Sequence, residues 1–501
     1  MFQLEKGLPE QVGIRSDFLA QILKECLERN IQLHSLMVIR HGKMVLETAK
    51  FPTAKEDKHL VYSCSKSFTA TAVGIAVDEG LLKLDDRLID YFPEVSKVGL
   101  DERILKATIR NLLMMSTGHG RDSVGDMCNS SDPWPEVFFR SEVVYEPGTT
   151  FVYDSGGTYM LSEVISRVTG RSMFEYMKEK FFGPLDITDV SWDVHGSVNT
   201  GAWGVLIAPR DLCKLGLLYL NKGMWKGKRI LSEEYINEAT APLISTRGEN
   251  TLEERIGGWS RNYGFSFWQN NETSFRADGS FGQMCMIFPK EDMVIVTTAE
   301  EENTGRIMSL IEKYILAPLS EMPGGLNSRT AKTLHEAVAA FEAAPTYAPG
   351  YSWFLSMLDG KTYQLEGDHE GEITFHVEGT DLKIEIDGIQ SITAGETRDC
   401  IGTTKCVLPL PTCSPLLGKE QREREWKSVA HYYWAASQTL MVSVAYPETG
   451  HRQDWTMVFT GKKLLFTIAD SNKDLLMPVG CVSDRNMRFA DSNYIGIEKN
   501  D

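Results

Sequence analysis

The sequence predicts an α+β protein, with an antiparallel sheet flanked by helices in residues 1–320 and a small all-β, barrel-like domain in residues 350–501. Two patterns support this fold class. Strand-like segments lie at both ends of the first region and bracket a helical middle, which favours one sheet built from both ends. After residue 350, short alternating segments follow one another between turn residues, as in a small barrel or sandwich.

Local patterns give the elements of the first region in order. Residues 16–30 have amphipathic helical periodicity, and SLMVIR and MVLETA flank His41-Gly42-Lys43 as a predicted hairpin. A helix is expected from Ser63 to Glu79, ended by Gly80. Further helices are expected at 106–115, 157–169, 173–181, 209–222, 232–239 and about 304–316, and strands at YGFSFWQ, QMCMIFP and MVIVTTA.

The composition changes after Pro318. Residues 321–349 are predicted to hold a turn-rich linker and a short helix at about 330–344. The most polar stretch, residues 415–427, is expected to be a loop. Strands are expected at KTYQLE, EITFHVE, DLKIEID, TLMVSVAY, DWTMVFT and KLLFTIA.

A length of 501 residues favours two domains, and 42% apolar with 24% charged residues is typical of a globular protein. The formal net charge of −17 argues against a nucleic-acid partner. The first residues lack an apolar signal core, and no run of about twenty apolar residues occurs. We therefore expect a cytoplasmic protein without a membrane partner; the sequence leaves its oligomeric state open.

The cysteines are nine in number and form no CxxC pair, which favours reduced thiols over a disulfide framework. A zinc site from Cys400, Cys406 and Cys413 is an alternative, but their spacing fits no common zinc pattern. The histidines form no HExxH motif, so a metal hydrolase is not favoured, and we expect no cofactor.

Ser63-Cys64-Ser65-Lys66 is the segment that points most directly to chemistry. Residues at i and i+3 share one face of a helix, so the Lys66 amine can reach the Ser63 hydroxyl. A serine needs a group that takes its proton before it can act as a nucleophile. Burial would lower the pKa of Lys66 and leave it partly neutral, as that role requires. Serine is also a common helix N-cap, and capping is the competing interpretation.

Two further segments could complete such a site. Tyr153 stands between a turn and a helix, and a phenol near a protonated Lys66 is expected to have a lowered pKa and to shuttle a proton. Ala277-Asp278-Gly279-Ser280 is a glycine-containing strand edge, and its Ser280 N–H could pair with the Ser63 N–H as an oxyanion hole. Core packing of Tyr153 and a plain glycine turn are the alternatives.

Together these segments resemble the serine β-lactamase and penicillin-binding-protein superfamily, which carries an S-x-x-K motif, a second motif such as Y-x-N and a K-T-G motif. The chain is most similar in type to class C β-lactamase-like esterases and peptidases. GLLKLDDRLIDYFPE, TIRNLLMMSTG and EPGTTFVYDSGGTYMLSEVISRVTG also match family segments in order. Residues 350–501 resemble the lipocalin-like domain appended to some members.

The resemblance implies a sheet flanked by helices with an all-α part, and an acyl-enzyme mechanism. Ser63 would be the nucleophile, while Lys66 and Tyr153 would share the general base and acid roles. The oxyanion-hole amides would come from Ser63 and Ser280. Substrate would bind near Ser155, Asp278 and Gly279.

Four positions depart from the family pattern. Ser155 replaces the usual Asn, Met115 replaces the usual His, and Ala277 stands where K-T-G has its lysine, with Asp278 at the threonine position. Since that lysine holds a substrate carboxylate in the family, its absence favours an esterase, amidase or peptidase acting on a small molecule or short peptide over a true β-lactamase. A catalytically silent binding protein on the same fold is the alternative. A third interpretation makes the C-terminal domain a ligand-binding module, and it can coexist with the hydrolase.

Overall fold

A computed structural model describes residues 5–246, 262–325, 327–350, 353–367, 370–405, 424–471 and 492–499. Within these ranges, residues 5–50 and 55–342 form one compact unit, and residues 51–54 with the described residues from 343 onward form a second. The predicted boundaries at residues 320 and 350 stay predictions. In the described part of the chain, no helix combines the length and apolar character needed to cross a membrane.

The first unit contains a nine-stranded sheet built from both ends of its sequence, as predicted. Leu33–Arg40 pairs antiparallel with Lys43–Ala49 on one side and with Met293–Ala299 on the other. Among the described strands of this sheet, Glu5–Lys6 at the edge is the one that pairs in parallel. The order across the sheet is Glu5–Lys6, Lys43–Ala49, Leu33–Arg40, Met293–Ala299, Gln283–Phe288, Phe275–Gly279, Trp268–Gln269, Asn262–Tyr263 and Ile244–Ser245.

Helices cover both faces of this sheet, and the alternation of its strands explains why. Met37 and Ile39 belong to one hydrophobic core, whereas Leu36 and Val38 belong to another, because successive strand residues point to opposite faces. The strand Leu33–Arg40 is therefore buried along its whole length. The α-helices in the described residues of this unit are Ser16–Glu28, Ser65–Asp78, Ile109–Leu113, Val124–Cys128, Trp134–Arg140, Ser155–Thr169, Met173–Met177, Pro209–Leu220, Glu233–Ala239, Gly305–Ile311 and Ser328–Glu342.

Short elements connect these helices and strands. Small sheets pair His59–Leu60 and Val190–Trp192 with Val205–Ile207, Val194–His195 with Val198–Asn199, and Met224–Trp225 with Lys228–Arg229. The 3-10 turns are Pro9–Val12, Tyr62–Cys64, Leu88–Tyr91, Ile104–Lys106 and Ser280–Gly282, and the π-helical turns are Lys178–Phe182 and Glu312–Leu316.

The prediction of one strand at YGFSFWQ is wrong. Asn262–Tyr263 and Trp268–Gln269 are separate strands that pair antiparallel, with Tyr263 opposite Trp268. The Gly264 N–H donates to the Phe267 carbonyl at 2.9 Å, and Ser266 has a φ of 58°. A tight turn therefore interrupts the alternating pattern, which by itself does not distinguish one strand from a hairpin.

The second unit is a closed nine-stranded barrel, in agreement with the predicted barrel-like domain. Its strands are antiparallel neighbours, and one parallel bridge between Gly395 and His431 closes the ring. Cys400–Lys405 pairs additionally with Glu425–Ala436. The order around the ring is Gln390–Gly395, Asp381–Ile386, Gly371–Glu378, Thr362–Gly367, Ser492–Glu498, Lys463–Asp470, His451–Thr460, Thr439–Tyr446 and Glu425–Ala436.

The expected loop at 415–427 is wrong at its end, because residues 425–427 begin the strand Glu425–Ala436. At this end of the strand Glu425 is exposed and Lys427 is half-buried, while Trp426 between them is buried. Residues 415–423 of that prediction lie outside the described residues. The unit also contains the short helix Leu355–Leu358.

Candidate active site

Ser63 lies in the 3-10 turn Tyr62–Cys64, which leads directly into the helix Ser65–Asp78. The Lys66 Nζ lies 3.2 Å from the Ser63 Oγ, so the i, i+3 spacing brings the two groups together as the sequence predicts. Lys66 also donates to the Ala202 carbonyl at 3.0 Å. Its side chain is almost fully buried, at 2% exposure, whereas Ser63 is partly exposed.

The surroundings of Lys66 make its amine a weaker base than that of a free lysine. Burial lowers the pKa of Lys66 to about 8, while the nearby charges of Asp122 and Asp154 oppose this decrease. A substantial fraction of the amine is therefore neutral near this pH. The lowered pKa agrees with the expectation from the sequence.

Tyr153 approaches this pair from the segment before the helix Ser155–Thr169. Its ring centroid lies 4.7 Å from the Lys66 Nζ, and the ring stacks on Trp268 at 6.0 Å between centroids. The expected lowering of the Tyr153 pKa is wrong. Burial raises the pKa of Tyr153 well above its usual value, and the nearby Tyr263 and acidic groups add to the effect, although the Ser63 side chain opposes it. Tyr153 is therefore a neutral phenol.

Two buried aspartates that local sequence patterns do not reveal, Asp122 and Asp154, lie close enough to Lys66 to affect its pKa. Burial would raise the pKa of Asp154, but hydrogen bonds from His119 and Ser123 outweigh it and lower the pKa to about 2. The Asp154 carboxylate accepts from the Ser123 hydroxyl at 2.7 Å and lies 3.1 Å from the His119 Nδ1. Asp154 is thus a buried, ionised residue next to Tyr153 in the chain.

The pKa of Asp122 is shifted in the opposite direction from that of Asp154. Burial raises the pKa of Asp122 to about 7, and the negative charge of Asp154 adds to the increase. Its Oδ1 accepts from the Ser155 N–H at 2.8 Å, and the Ser155 side chain also bonds to it. Ser155, predicted to contact substrate, is 8% exposed and contacts Asp122 at the start of its helix.

The strand Phe275–Gly279 lies against the turn that carries Ser63. A Cβ atom at Gly279 would lie 2.2 Å from the Val61 carbonyl oxygen and 3.2 Å from the Cys64 nitrogen, so only glycine allows this approach. Ser280 follows directly and is exposed. The structure therefore brings the predicted Gly279-Ser280 segment to the predicted nucleophile, while the oxyanion-hole role of the two amides stays a prediction.

The charged residues of this strand share one face. The Arg276 Nε donates to the Asp278 carboxylate, and the Arg276 Nη1 donates to the Asn270 Oδ1 at 2.9 Å. Arg276 is fully buried, whereas the Asp278 side chain is 22% exposed. Ala277, at the position of the family lysine, points to the other face and is buried in the hydrophobic core.

Met115 occupies the position of the family's usual histidine. It is fully buried, has a φ of 56°, and its Sδ lies 3.3 Å from the Asp154 N–H. The nearby histidine is instead His119, which is held between Asp154 and the Phe138 carbonyl, with the latter 3.1 Å from its Nε2. The local sequence gives no signal for this arrangement, because His119 reaches Asp154 across 35 residues.

Among the described residues, no group of three or more histidine, cysteine or acidic side chains is placed to hold a metal ion. Of the three cysteines considered for zinc, Cys400 is a buried free thiol, and Cys406 and Cys413 lie outside the described residues.

The antiparallel sheet, the helices on both of its faces, and the Ser63–Lys66–Tyr153 arrangement together define the class of β-lactamase-fold serine hydrolases. A protein-family model described as Beta-lactamase matches residues 19–317, which is more than half of the chain. The chain therefore belongs to the beta-lactamase family.

Curated relatives of the chain include one protein that is named as a hydrolase. The 6-aminohexanoate-dimer hydrolase of Paenarthrobacter ureafaciens is 24% identical over 314 residues, which cover 58% of this chain and 79% of the relative. Protein flp of Staphylococcus aureus (strain NCTC 8325) is 25% identical over 320 residues, covering 56% of this chain and 61% of the relative. Both relatives match somewhat more than half of this chain, and the first of them is named as a hydrolase.

Solved structures agree with the fold. A putative 6-aminohexanoate-dimer hydrolase from Bacillus anthracis has a TM-score of 0.50 at 21% identity, and covers 63% of this chain and 87% of its own. A putative beta-lactamase from Bacteroides dorei DSM 17855 has a TM-score of 0.50 at 17% identity, covering 60% of this chain and 98% of its own.

Proposed function

We propose that the protein is a serine hydrolase that forms an acyl-enzyme on Ser63 and cleaves an ester, amide or peptide bond of a small substrate. The observation that carries this proposal is the 3.2 Å separation between the Ser63 Oγ and the Nζ of a buried Lys66. A lysine of ordinary pKa would be almost fully protonated near neutral pH and could not take the serine proton. The lowered pKa of Lys66, to about 8, makes the neutral amine accessible.

In the proposed reaction, neutral Lys66 takes the hydroxyl proton as the Ser63 oxygen attacks the carbonyl carbon. The N–H groups of Ser63 and Ser280 stabilise the oxyanion that forms. Tyr153, a neutral phenol whose ring lies beside the Lys66 amine, passes a proton to the leaving nitrogen or oxygen and is reprotonated by Lys66. Water then attacks the ester carbonyl, gives its proton to the same groups and releases the acid and the Ser63 hydroxyl.

An amide or ester fits this site better than a β-lactam that carries a carboxylate. The strand beside the nucleophile has buried Ala277 where the family pattern has a lysine, and the carboxylate of Asp278 is its partly exposed charge. The relative from Paenarthrobacter ureafaciens is named for the hydrolysis of a 6-aminohexanoate dimer, which favours an amide bond as the bond that is cleaved. We expect β-lactamase activity to be weak or absent.

The test is labelling by a general fluorophosphonate activity probe, followed by mass spectrometry of the labelled peptide, with turnover of a short-chain nitrophenyl ester measured in parallel. We expect one adduct on Ser63. Both labelling and turnover should fall by roughly 1,000-fold or more in Ser63→Ala and Lys66→Met, because each removes a part of one proton-transfer unit.

Ser166→Ala is a matched control, since the Ser166 hydroxyl bonds the Ser162 carbonyl within its own helix and should not affect labelling. Circular dichroism would verify that each variant is folded. A folded wild-type protein without adduct or turnover would contradict the proposal and favour the silent binding protein.

A further inference from the structure

The charge beside the nucleophile comes from Asp278, and its place is fixed by the backbone. Gly279, the next residue, packs so closely on the nucleophile turn that a Cβ there would lie 2.2 Å from the Val61 oxygen. Asp278 therefore stands at the strand end that borders the nucleophile turn. Its charge also contributes to the raised pKa values of Cys64 and Tyr153, which places it within electrostatic range of both.

The positively charged residue of the same strand, Arg276, is not exposed at this edge. Arg276 is fully buried and donates to Asp278 and Asn270, so its guanidinium is occupied below the surface. Its hydrogen bond holds the Asp278 carboxylate in one orientation, while the Asp278 side chain remains 22% exposed. A group arriving from solvent therefore meets the acidic member of this pair.

The other acidic groups near the nucleophile, Asp122 and Asp154, also add negative charge around Ser63. The charges of Asp122 and Asp154 both act to raise the Lys66 pKa, although burial outweighs them and the pKa is lowered to about 8. Above about pH 8, where Asp122 is ionised and Lys66 is largely neutral, the carboxylates of Asp122, Asp154 and Asp278 outnumber the buried guanidinium of Arg276, and the chain as a whole carries −17. Such a field favours cations and disfavours carboxylates.

We propose that Asp278 selects substrates that carry a positively charged ammonium group close to the scissile bond, an inference that rests on the proposed function. The ammonium group contacts the exposed part of the Asp278 carboxylate while the carbonyl carbon lies at Ser63. Arg276 acts as a positioning residue that orients Asp278. The specificity is thus the reverse of a site that holds a substrate carboxylate with a lysine.

The test compares three 4-nitrophenyl esters with acyl chains of similar length. One ends in trimethylammonium (4-trimethylammoniobutanoate), one in the uncharged tert-butyl isostere (5,5-dimethylhexanoate) and one in a carboxylate (glutarate). Each kcat/KM is divided by the second-order rate constant for hydroxide attack on the same ester, which corrects for intrinsic reactivity without including the attack of the glutarate carboxylate on its own carbonyl. We expect the wild-type protein to prefer the cationic ester over its isostere about fivefold, the upper size of an ion pair at a partly exposed carboxylate, and to disfavour the glutarate.

The preference should decrease as salt is added, because exposed charges are screened. In Asp278→Asn the ratio of cationic to neutral ester should fall to near one, and in Asp278→Lys the glutarate should become the better charged substrate. Glu272→Gln is the matched control, since it removes one exposed acidic charge at the other end of the same hairpin and should keep the ratio.

Fluorophosphonate labelling of Ser63 in the same samples separates the two hypotheses. Labelling without a cationic preference, or without any turnover of the cationic ester, overturns the role of Asp278 and leaves the proposed function standing. Absence of labelling and of turnover in folded protein overturns the proposed function itself. The wild-type ratio and its salt dependence decide the inference even where a variant does not fold.

Discussion

At the scale of single residues, the protonation of the site is set by groups buried behind Lys66. Asp154 is ionised because His119 and Ser123 donate to it, and Asp122 has a raised pKa because it is buried near this charge. Burial lowers the Lys66 pKa, and the two carboxylates limit how far it falls. The basicity of Lys66 is therefore a balance between desolvation and two acidic neighbours.

This balance predicts a pH dependence of Ser63 labelling. Only neutral Lys66 can take the serine proton, and its pKa is about 8, so the labelling rate should rise with pH from 6.5 and level off above about 9. Tyr153 stays protonated over this range because its pKa is well above 10. The measurement is the second-order rate of labelling by an uncharged fluorophosphonate probe across the pH series.

Asp122→Asn should move the midpoint of that profile to lower pH by about one unit, because it removes a negative charge that raises the Lys66 pKa. The asparagine can still accept from the Ser155 N–H, so the start of the helix is kept. Asp126→Asn removes one charge from a residue paired with Arg121 and is the control. An unmoved midpoint in Asp122→Asn would show that another group governs the profile.

At the scale of elements, the site depends on three segments meeting around the start of the helix Ser65–Asp78. The strand Phe275–Gly279 approaches one side of the turn at Ser63. The Ser65 hydroxyl accepts from the Val205 N–H at 3.1 Å, and Thr69 donates to the Gly201 carbonyl at 2.8 Å. These bonds place the Ala202 carbonyl where Lys66 reaches it.

Gly279→Ala tests the close approach of strand and turn. The added methyl would lie 2.2 Å from the Val61 oxygen, so the strand must move away from the turn. We expect unfolding free energy to fall by about 1–3 kcal/mol, as for an overpacked site. Labelling of Ser63 should slow by roughly 100-fold, since a displacement of about 1 Å has that effect on a reactive geometry.

Gly325→Ala is the matched control for this substitution, because a Cβ at Gly325 would have no atom within 4 Å. Urea denaturation gives the stability and probe labelling gives the reactivity. Normal labelling in Gly279→Ala would mean that the nucleophile does not depend on this contact.

The sequence predicted the parts of the site that depend on local spacing and missed those that depend on tertiary contact. The Ser63–Lys66 pair follows from helical periodicity, and Tyr153 from its place before a helix. Asp122 could not be found in this way, because its link to Lys66 arises only when residues 56 positions apart in the sequence fold together. The direction of the Tyr153 pKa shift was wrong for a related reason, since burial is a property of the packed molecule.

At the scale of the whole molecule, the two units contain separate cores. The first has its apolar side chains on the two faces of the nine-stranded sheet. In the barrel, the strand His451–Thr460 alternates between buried and more exposed residues, which places Trp455 and Met457 inside. The sequence predicted this barrel from the alternation of six segments. It did not predict the barrel strands Gln390–Gly395, Glu425–Ala436 and Ser492–Glu498 or the additional strand Cys400–Lys405, whose alternation is short or broken by polar residues.

Separate cores predict that each unit can be destabilised by itself. Trp455 is fully buried, packs on Phe466 and donates to the Gln453 side chain at 3.1 Å. Trp455→Ala should therefore lower the unfolding free energy of the barrel by about 3–5 kcal/mol, because it leaves a large cavity. Differential scanning calorimetry of the full chain should show one transition moved to lower temperature, while Ser63 is still labelled at the wild-type rate below that transition.

The reciprocal variant is Trp192→Ala. Trp192 packs edge-on against Phe68, which lies on the helix that follows the nucleophile, and its Nε1 donates to the Trp203 carbonyl next to Ala202. This substitution should move the other transition and should also slow Ser63 labelling, because the Ala202 carbonyl is a hydrogen-bond partner of Lys66. A single transition that moves equally in both variants would contradict the independence of the two cores. It would mean that the chain unfolds as one cooperative unit, so that any substitution in the barrel core reaches the candidate active site through global stability.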